Sequence, residues 1–171
     1  MDYFTKWPEV YPIANQEAET IAKVLVEQFV CRFGVPLQIH SDQGRNFCSK
    51  VFNEMCTLLG VKKTQTTPYH PQSDGMVERY NRTLEAQLSM FVETHQKDWD
   101  LYIPYLLMAY RTAVHESTKC TPAKLMMGHE IRLPIDLVFG KPEPEYYNEG
   151  ITKYGTKLAE NIEQAHEFGR E

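Results

Sequence analysis

Cysteine is scarce and scattered. The four thiols, Cys31, Cys48, Cys56 and Cys120, contain no CxxC pair, which excludes a disulfide scaffold or a zinc ribbon as the basis of the fold. Long apolar runs are missing as well: no stretch approaches the roughly 20 residues a membrane span requires, so no membrane partner is expected. There is no apolar leader at the front, and with unpaired thiols this implies a location inside a cell. An excess of positive charge is also absent. With 18 Lys and Arg against 23 Asp and Glu, the net charge is −5 and the pI is near 5.7. The chain as a whole therefore lacks the footprint of a dedicated nucleic-acid binder, and any such function rests on local geometry. No repeat of 20 to 50 residues and no low-complexity tract interrupts it. What is present is 171 residues, 42% hydrophobic and 12% aromatic, enough for one folded unit with its own core.

The order of patterns is that of an α/β layer. Val10, Tyr11 and Ile13 read as a short strand that Pro12 confines to an edge. Asn15 fits a helix cap, and Ala18, Ile21, Ala22, Leu25, Phe29 and Phe33 follow at helical spacing until Gly34 and Pro36 stop them. Val35, Leu37 and Ile39 alternate with polar residues, a strand that ends at Ser41-Asp42-Gln43-Gly44. Phe52, Met55, Leu58 and Leu59 predict a short helix closed by Gly60, and Val61 to Thr66 a further strand. A loop rich in turn residues, Thr67 to Gly75, precedes a helix with Val77, Tyr80, Leu84, Leu88 and Phe91 on its apolar stripe. Tyr102, Ile103, Leu106, Leu107 and Tyr110 predict another helix, opened or kinked by Pro104. Thr121, Pro122 and Gly128 bound a third, short one. Residues 140–150 read as a linker, and Ile151, Tyr154, Leu158, Ile162 and Ala165 as a final amphipathic helix. Residues 141–171 carry 7 acids and 4 bases, and the pattern leaves open whether that helix docks on residues 1–140 or stands free.

Asp42 stands at the carboxyl end of a predicted strand, the edge where open α/β sheets bind ligands. Glu78 stands near the start of a helix, with 35 residues between the two. A strand and a loop can bring such carboxylates to one edge of a sheet, where hard cations such as Mg²⁺ take oxygen ligands and leave room for phosphates. Spacing alone does not distinguish this from an ordinary loop Asp and surface Glu.

Two segments carry more. His40-Ser41-Asp42-Gln43-Gly44-Arg45-Asn46-Phe47 and Tyr69-His70-Pro71-Gln72-Ser73-Asp74-Gly75-Met76-Val77-Glu78-Arg79-Tyr80-Asn81-Arg82 resemble, in residues and in spacing, the catalytic core of integrases from retroviruses and long-terminal-repeat retrotransposons, nearest the gypsy-type group. The resemblance extends over about residues 1–140. It implies a ribonuclease-H-like mixed sheet flanked by helices. It also implies a Mg²⁺ or Mn²⁺ site of two Asp and one Glu that processes DNA ends and joins them to target DNA, in a homo-oligomer. By position Asp42 matches the second Asp and Glu78 the Glu. The first Asp has no match: Thr5-Lys6-Trp7 aligns so that Asp2 falls at the end of the second strand. The sequence is accordingly expected to be a core lacking its first strand, and inactive by itself.

The resemblance also puts Tyr69, Gln72, Ser73 and Asn81 beside the metal and the DNA ends, although packing explains Tyr69 equally well. Arg82, one turn beyond Glu78, has the planar fork that suits a phosphate, and its plain alternative is a surface pair with Glu85. Arg45 adds local positive charge, residues 40–85 holding 6 bases and 5 acids. His40 and His70 flank the segment without a third soft ligand at zinc spacing and are expected to be structural. No basic targeting cluster is present, so a nuclear location follows only from a DNA substrate. The rival reading is an integrase-derived module that binds DNA or protein without catalysis.

Overall fold

The computed structural model describes residues 1–66, 75–91, 98–140 and 149–168. They form two compact units, one of Glu9–Asp100 and one of Met1–Pro8 with Leu101–Glu171.

In the first unit the helix expected after Asn15 forms, in three pieces. Helix α1 (Ala18–Val24) runs into a π-helical turn (Leu25–Val30) and then α2 (Cys31–Phe33), with Gly34 at φ 85° ending it. Asn15 does not occupy the cap itself, which is Glu17. Its Oδ1 instead accepts from the Glu17 N–H at 3.0 Å and the Thr20 hydroxyl at 2.8 Å, so the same side chain supports the first turn from two residues upstream.

Strand β1 (Gln38–Ser41), helix α3 (Lys50–Leu58) and strand β2 (Lys62–Gln65) follow. Ser49 caps α3 by accepting from the Phe52 N–H at 3.2 Å. The two strands pair in parallel, Gln38 with Lys62 through Ser41 with Gln65, because α3 supplies the crossover that a parallel pair needs. His40 Nδ1 lies 2.8 Å from the Thr64 hydroxyl, a bond across the strands that fits the structural role expected of His40. Helix α3 packs on α1. Ala22, Phe52, Cys56 and Val61 form the core between them, with Ile21, Leu25, Ile39, Phe47, Met55 and Leu59 at its margin.

Three expectations fail here. Val10–Ile13 is not a strand: Pro12 has no amide to donate, and the described sheet consists of β1 and β2 alone. Leu37 lies outside β1 and is 93% exposed. Leu58 is 86% exposed, and Cys56 takes its place on the buried face of α3.

Helix α4 (Gly75–Phe91) closes this unit, with Tyr80 and Leu84 buried. Val77 and Phe91, expected on the same stripe, are exposed.

In the second unit, Asp2 shapes the first turn. Its Oδ1 accepts from the Thr5 N–H at 2.7 Å and the Thr5 hydroxyl at 2.6 Å, and Lys6 adopts φ 63°. No strand forms there. Trp7 is buried with the Arg111 guanidinium stacked 4.1 Å from its ring centroid, and Arg111 Nη2 donates to the Pro8 carbonyl at 2.7 Å. Arg111 comes from α5 (Trp99–Thr112), which begins at the boundary between the units, buries Ile103, Leu106 and Leu107, and holds Pro104 inside it rather than at its start.

Helix α6 (Pro122–Met127) has the predicted bounds: Thr121 accepts from the Lys124 N–H at 3.1 Å, Pro122 opens the helix, and Gly128 closes it at φ 77°. Sequence patterning missed α7 (Asp136–Phe139), whose four residues are too few for a period to register. The expected linker lies largely at residues 141–148, outside the described residues. Helix α8 (Glu149–Phe168) docks on α6. A Cβ at Gly128 would stand 3.1 Å from Ala159 N, Ile162 Cδ1 and Leu158 Cγ, so the glycine permits both the left-handed cap and the close approach. Tyr154 completes the docking edge-to-face with Phe4 at 5.2 Å.

Cys56 and Cys120 are buried, and Cys31 and Cys48 are exposed. Burial pushes the Cys56 thiol up from its ordinary range, offset in part by the Lys63 ammonium. A raised pKa leaves less thiolate at neutral pH. Two thiols are therefore expected to react with iodoacetamide in the native protein and four in denaturant, counted by mass spectrometry. Rapid native labelling of Cys56 would contradict this packing.

Candidate functional site

The parallel pairing determines where Asp42 stands. Ser41 and Gln65 end the two strands at the same level, and the last bond of the ladder runs from the Thr66 N–H to the Ser41 carbonyl at 3.0 Å. That rung is the last of the described ladder. One strand leads into the loop that begins with Asp42, and the other through residues 67–74 to α4.

Asp42 is exposed at this edge. Its Oδ1 accepts from the Gly44 N–H at 2.8 Å, and a Cβ at Gly44 would lie 2.8 Å from the same oxygen, so a glycine is what lets the loop fold back on the carboxylate. Among the described residues no protein donor is recorded for Oδ2. One oxygen thus orients the side chain and the other remains available.

Side chains of three residues tie the loop to the end of β2, and one of them also reaches α3. Gln43 Nε2 donates to the Thr66 carbonyl at 2.8 Å. Gln65 Nε2 donates to Cys48 Sγ at 3.2 Å. The Lys63 ammonium donates to the Phe47 carbonyl and, at 3.0 Å, to Asn53 Oδ1. Phe47 in turn stands edge-to-face on the buried Phe52 ring at 5.3 Å. The loop is therefore anchored to the sheet and to the core beneath it. None of these anchors was singled out from the sequence: their contacts span 10 to 23 residues, and only the parallel register makes them neighbours.

Glu78 lies in the first turn of α4, exposed, where the helix dipole favours a negative charge. Its carboxylate has no ion pair or hydrogen bond among the described residues. Asn81 and Arg82 follow on the same helix, both exposed. Arg82 makes no ion pair with Glu85 among the described residues, so the surface pair that was its plain alternative does not form. Arg45 is exposed in the loop after Asp42. Tyr69, Gln72 and Ser73, like His70, lie outside the described residues.

Asp42 and Glu78 thus belong to one unit, and both are exposed carboxylates. An open carboxylate oxygen on an anchored loop is a donor of the kind Mg²⁺ and Mn²⁺ take. Among the described residues, no group of three His, Cys, Asp or Glu gathers to hold a metal ion. The carboxylate of Asp2, the tempting substitute for the unmatched first Asp, is taken up by Thr5. No described helix is long and apolar enough to cross a membrane.

Comparison with known proteins agrees with the motifs. The family described as "Integrase core domain" matches residues 1–71. The Gag-Pol polyprotein of Walleye dermal sarcoma virus is 31% identical over 168 residues, 98% of this chain and 9% of the polyprotein. The retrovirus-related Pol polyprotein from transposon 412 of Drosophila melanogaster is 30% identical over 130 residues, 76% of this chain and 10% of the polyprotein. The chain thus spans about a tenth of the length of these relatives. Among solved structures, the catalytic core domain of BIV integrase superposes with a TM-score of 0.57 at 27% identity, covering 71% of this chain and 78% of that one. A chain of the simian T-cell lymphotropic virus intasome, in complex with PP2A regulatory subunit B56 gamma, gives 0.57 at 26% identity, covering 77% of this chain and 45% of that one. The HTLV-2 integrase catalytic core domain in complex with magnesium, in a trimeric form, gives 0.50 at 26% identity, covering 64% and 70%.

Proposed function

From a chain that belongs to the integrase core family of retroviral and transposon Pol polyproteins, with the ribonuclease-H-like fold of its structural neighbours, we propose a part in metal-dependent processing and joining of DNA ends. The observation that carries this reading is Asp42: an exposed carboxylate at the carboxyl end of parallel strands, turned by Gly44, with an oxygen left open. Asp42 and Glu78 would hold Mg²⁺ or Mn²⁺, the two hard-oxygen donors that the motif segments supply. When bound, such ions supply charge neutralisation for an in-line displacement at a phosphodiester. The chain's own residues do the positioning. The anchored loop holds Asp42 in place, while Arg82 and Asn81 on α4, Arg45 in the loop, and Tyr69, Gln72 and Ser73 between β2 and α4 would orient the DNA strand. The nearer assignment, to a gypsy-type element, rests on the segments His40–Phe47 and Tyr69–Arg82. Association into a homo-oligomer and action in the nucleus belong to the same proposal.

The Asp2 carboxylate is engaged in its turn, so the residues at hand offer two matching carboxylates of the three expected. We accordingly expect this chain alone to bind DNA and not to cut it. The same observation favours a second reading, a module that binds without catalysis.

DNA binding is tested by fluorescence anisotropy on a short duplex. Arg82→Ala is expected to weaken binding about three- to fivefold and to lower the salt slope by about one, as the loss of one phosphate contact does. An unchanged slope would remove Arg82 from the interface.

A further inference from the structure

The residue that follows Asp42 does more than continue the loop. Thr66 bonds to both neighbours of Asp42: its N–H donates to the Ser41 carbonyl at 3.0 Å, and its carbonyl accepts from Gln43 Nε2 at 2.8 Å. Asp42 is therefore held between two bonds to a single residue. The first of these is an ordinary rung of the parallel ladder. The second is made by a side chain and continues the pairing one residue past the strand ends, Thr66 being the last described residue before the segment that leads to Glu78. The Gly44 N–H, one residue further on, fixes Asp42 Oδ1.

We propose that Gln43 is a positioning residue: its amide staples the Asp42 loop to the end of β2 and so holds the Asp42 carboxylate at a set height relative to the sheet edge. This rests on the reading of Asp42 as a cation ligand. Without the staple the ladder still ends at Ser41, but the loop from Asp42 to Arg45 can pivot about that bond. Bonds within the loop remain, Ser41 Oγ to the Asp42 carbonyl at 2.9 Å and the Cys48 N–H to the Gly44 carbonyl at 3.0 Å, but the other direct ties to β2, from Lys63 and Gln65, reach the loop only at Phe47 and Cys48. Asp42 would then explore several orientations, and the cation would have to select one of them, which lowers its apparent affinity by the fraction of time the loop is misplaced.

The test is Gln43→Met, which keeps the length of the side chain and removes the donor. It is read by NMR on the whole chain beside wild type and Asp42→Asn. Amide exchange at Gly44 is expected to accelerate about fivefold, the order expected for loss of one exposed hydrogen bond. Exchange at Leu59, bonded to the Met55 carbonyl in the α3 cap, is expected to stay unchanged. The Mn²⁺ concentration that half-broadens the Gly44 amide is expected to rise, in proportion to the fall in the fraction of time the loop is correctly placed. Unchanged exchange at Gly44 would overturn the proposal. So would equal acceleration at Leu59, which marks a general loss of structure, and so would unaltered Mn²⁺ sensitivity in Gln43→Met where Asp42→Asn loses it. If Asp42→Asn broadens like wild type, the cation reading fails by itself, and exchange at Gly44 decides whether Gln43 holds the loop.

Discussion

Asp42→Asn is expected to lower Mn²⁺-dependent cleavage and joining of DNA ends by on the order of 10³-fold, the scale on which loss of a charged group that stabilises a transition state is felt. The appropriate protein is the chain extended upstream in its own reading frame by about 30 residues, the length of a strand hairpin. The substitution is mild structurally. Asn keeps an oxygen where Oδ1 accepts the Gly44 N–H, so the turn persists, and what disappears is the charge and the open oxygen. A melting temperature within about 2 °C of wild type is expected alongside the loss, because exposed substitutions that keep their local bonds change stability little. If activity survives in Asp42→Asn, the cation is held elsewhere.

Phe52→Ala is the largest expected effect on stability, about 3–5 kcal/mol, the usual cost of deleting a buried aromatic ring. Phe52 is 1% exposed and sits in the core with Ala22, Cys56 and Val61. Its ring carries the Phe47 ring edge-to-face and lies 5.6 Å beneath the Lys63 ammonium. Both of those residues anchor the loop after Asp42, so the cavity left by alanine loosens the site from below as well as weakening the fold. A loss of this size is a large share of the roughly 5–15 kcal/mol that stabilises a typical domain. Urea unfolding followed by tryptophan fluorescence and circular dichroism measures it. A loss under about 1 kcal/mol would mean that the core does not depend on this ring, against the usual cost of such a truncation.

What could be read from the sequence was local. The Thr121-Pro122 start and Gly128 end of α6 follow from capping chemistry confined to a few residues, and the structure reproduces them. The long helix before Gly34 followed from its period, but its π-helical turn over Leu25–Val30 did not, because apolar spacing does not distinguish a bond to the fourth residue from one to the fifth. Alternation located β1 and predicted too much of it: Leu37 fits the period-2 pattern, but burial depends on what covers a strand, and Leu37 is left exposed. The docking of α8 was open because it depends on the space above Gly128 and Gly155, which patterning does not report. For the site, motif spacing singled out Asp42, Glu78 and Arg82, and Lys63 counted only as local positive charge, whereas the anchoring roles of Gln43, Lys63 and Gln65 emerged only once β1 and β2 were seen in register. Residue type shows which groups can bind a cation, and register shows which groups hold them still.

The most direct measurement is the joining of a pre-cut DNA 3′-end to a second duplex in Mn²⁺, by this chain and by the chain extended upstream, each also as Glu78→Gln. Joined product is expected from the extended protein alone, and none from its Glu78→Gln variant. Joining by the extended protein that is indifferent to Glu78→Gln, or equal joining by the shorter chain, would contradict a site built on Asp42, Glu78 and a third carboxylate outside these residues.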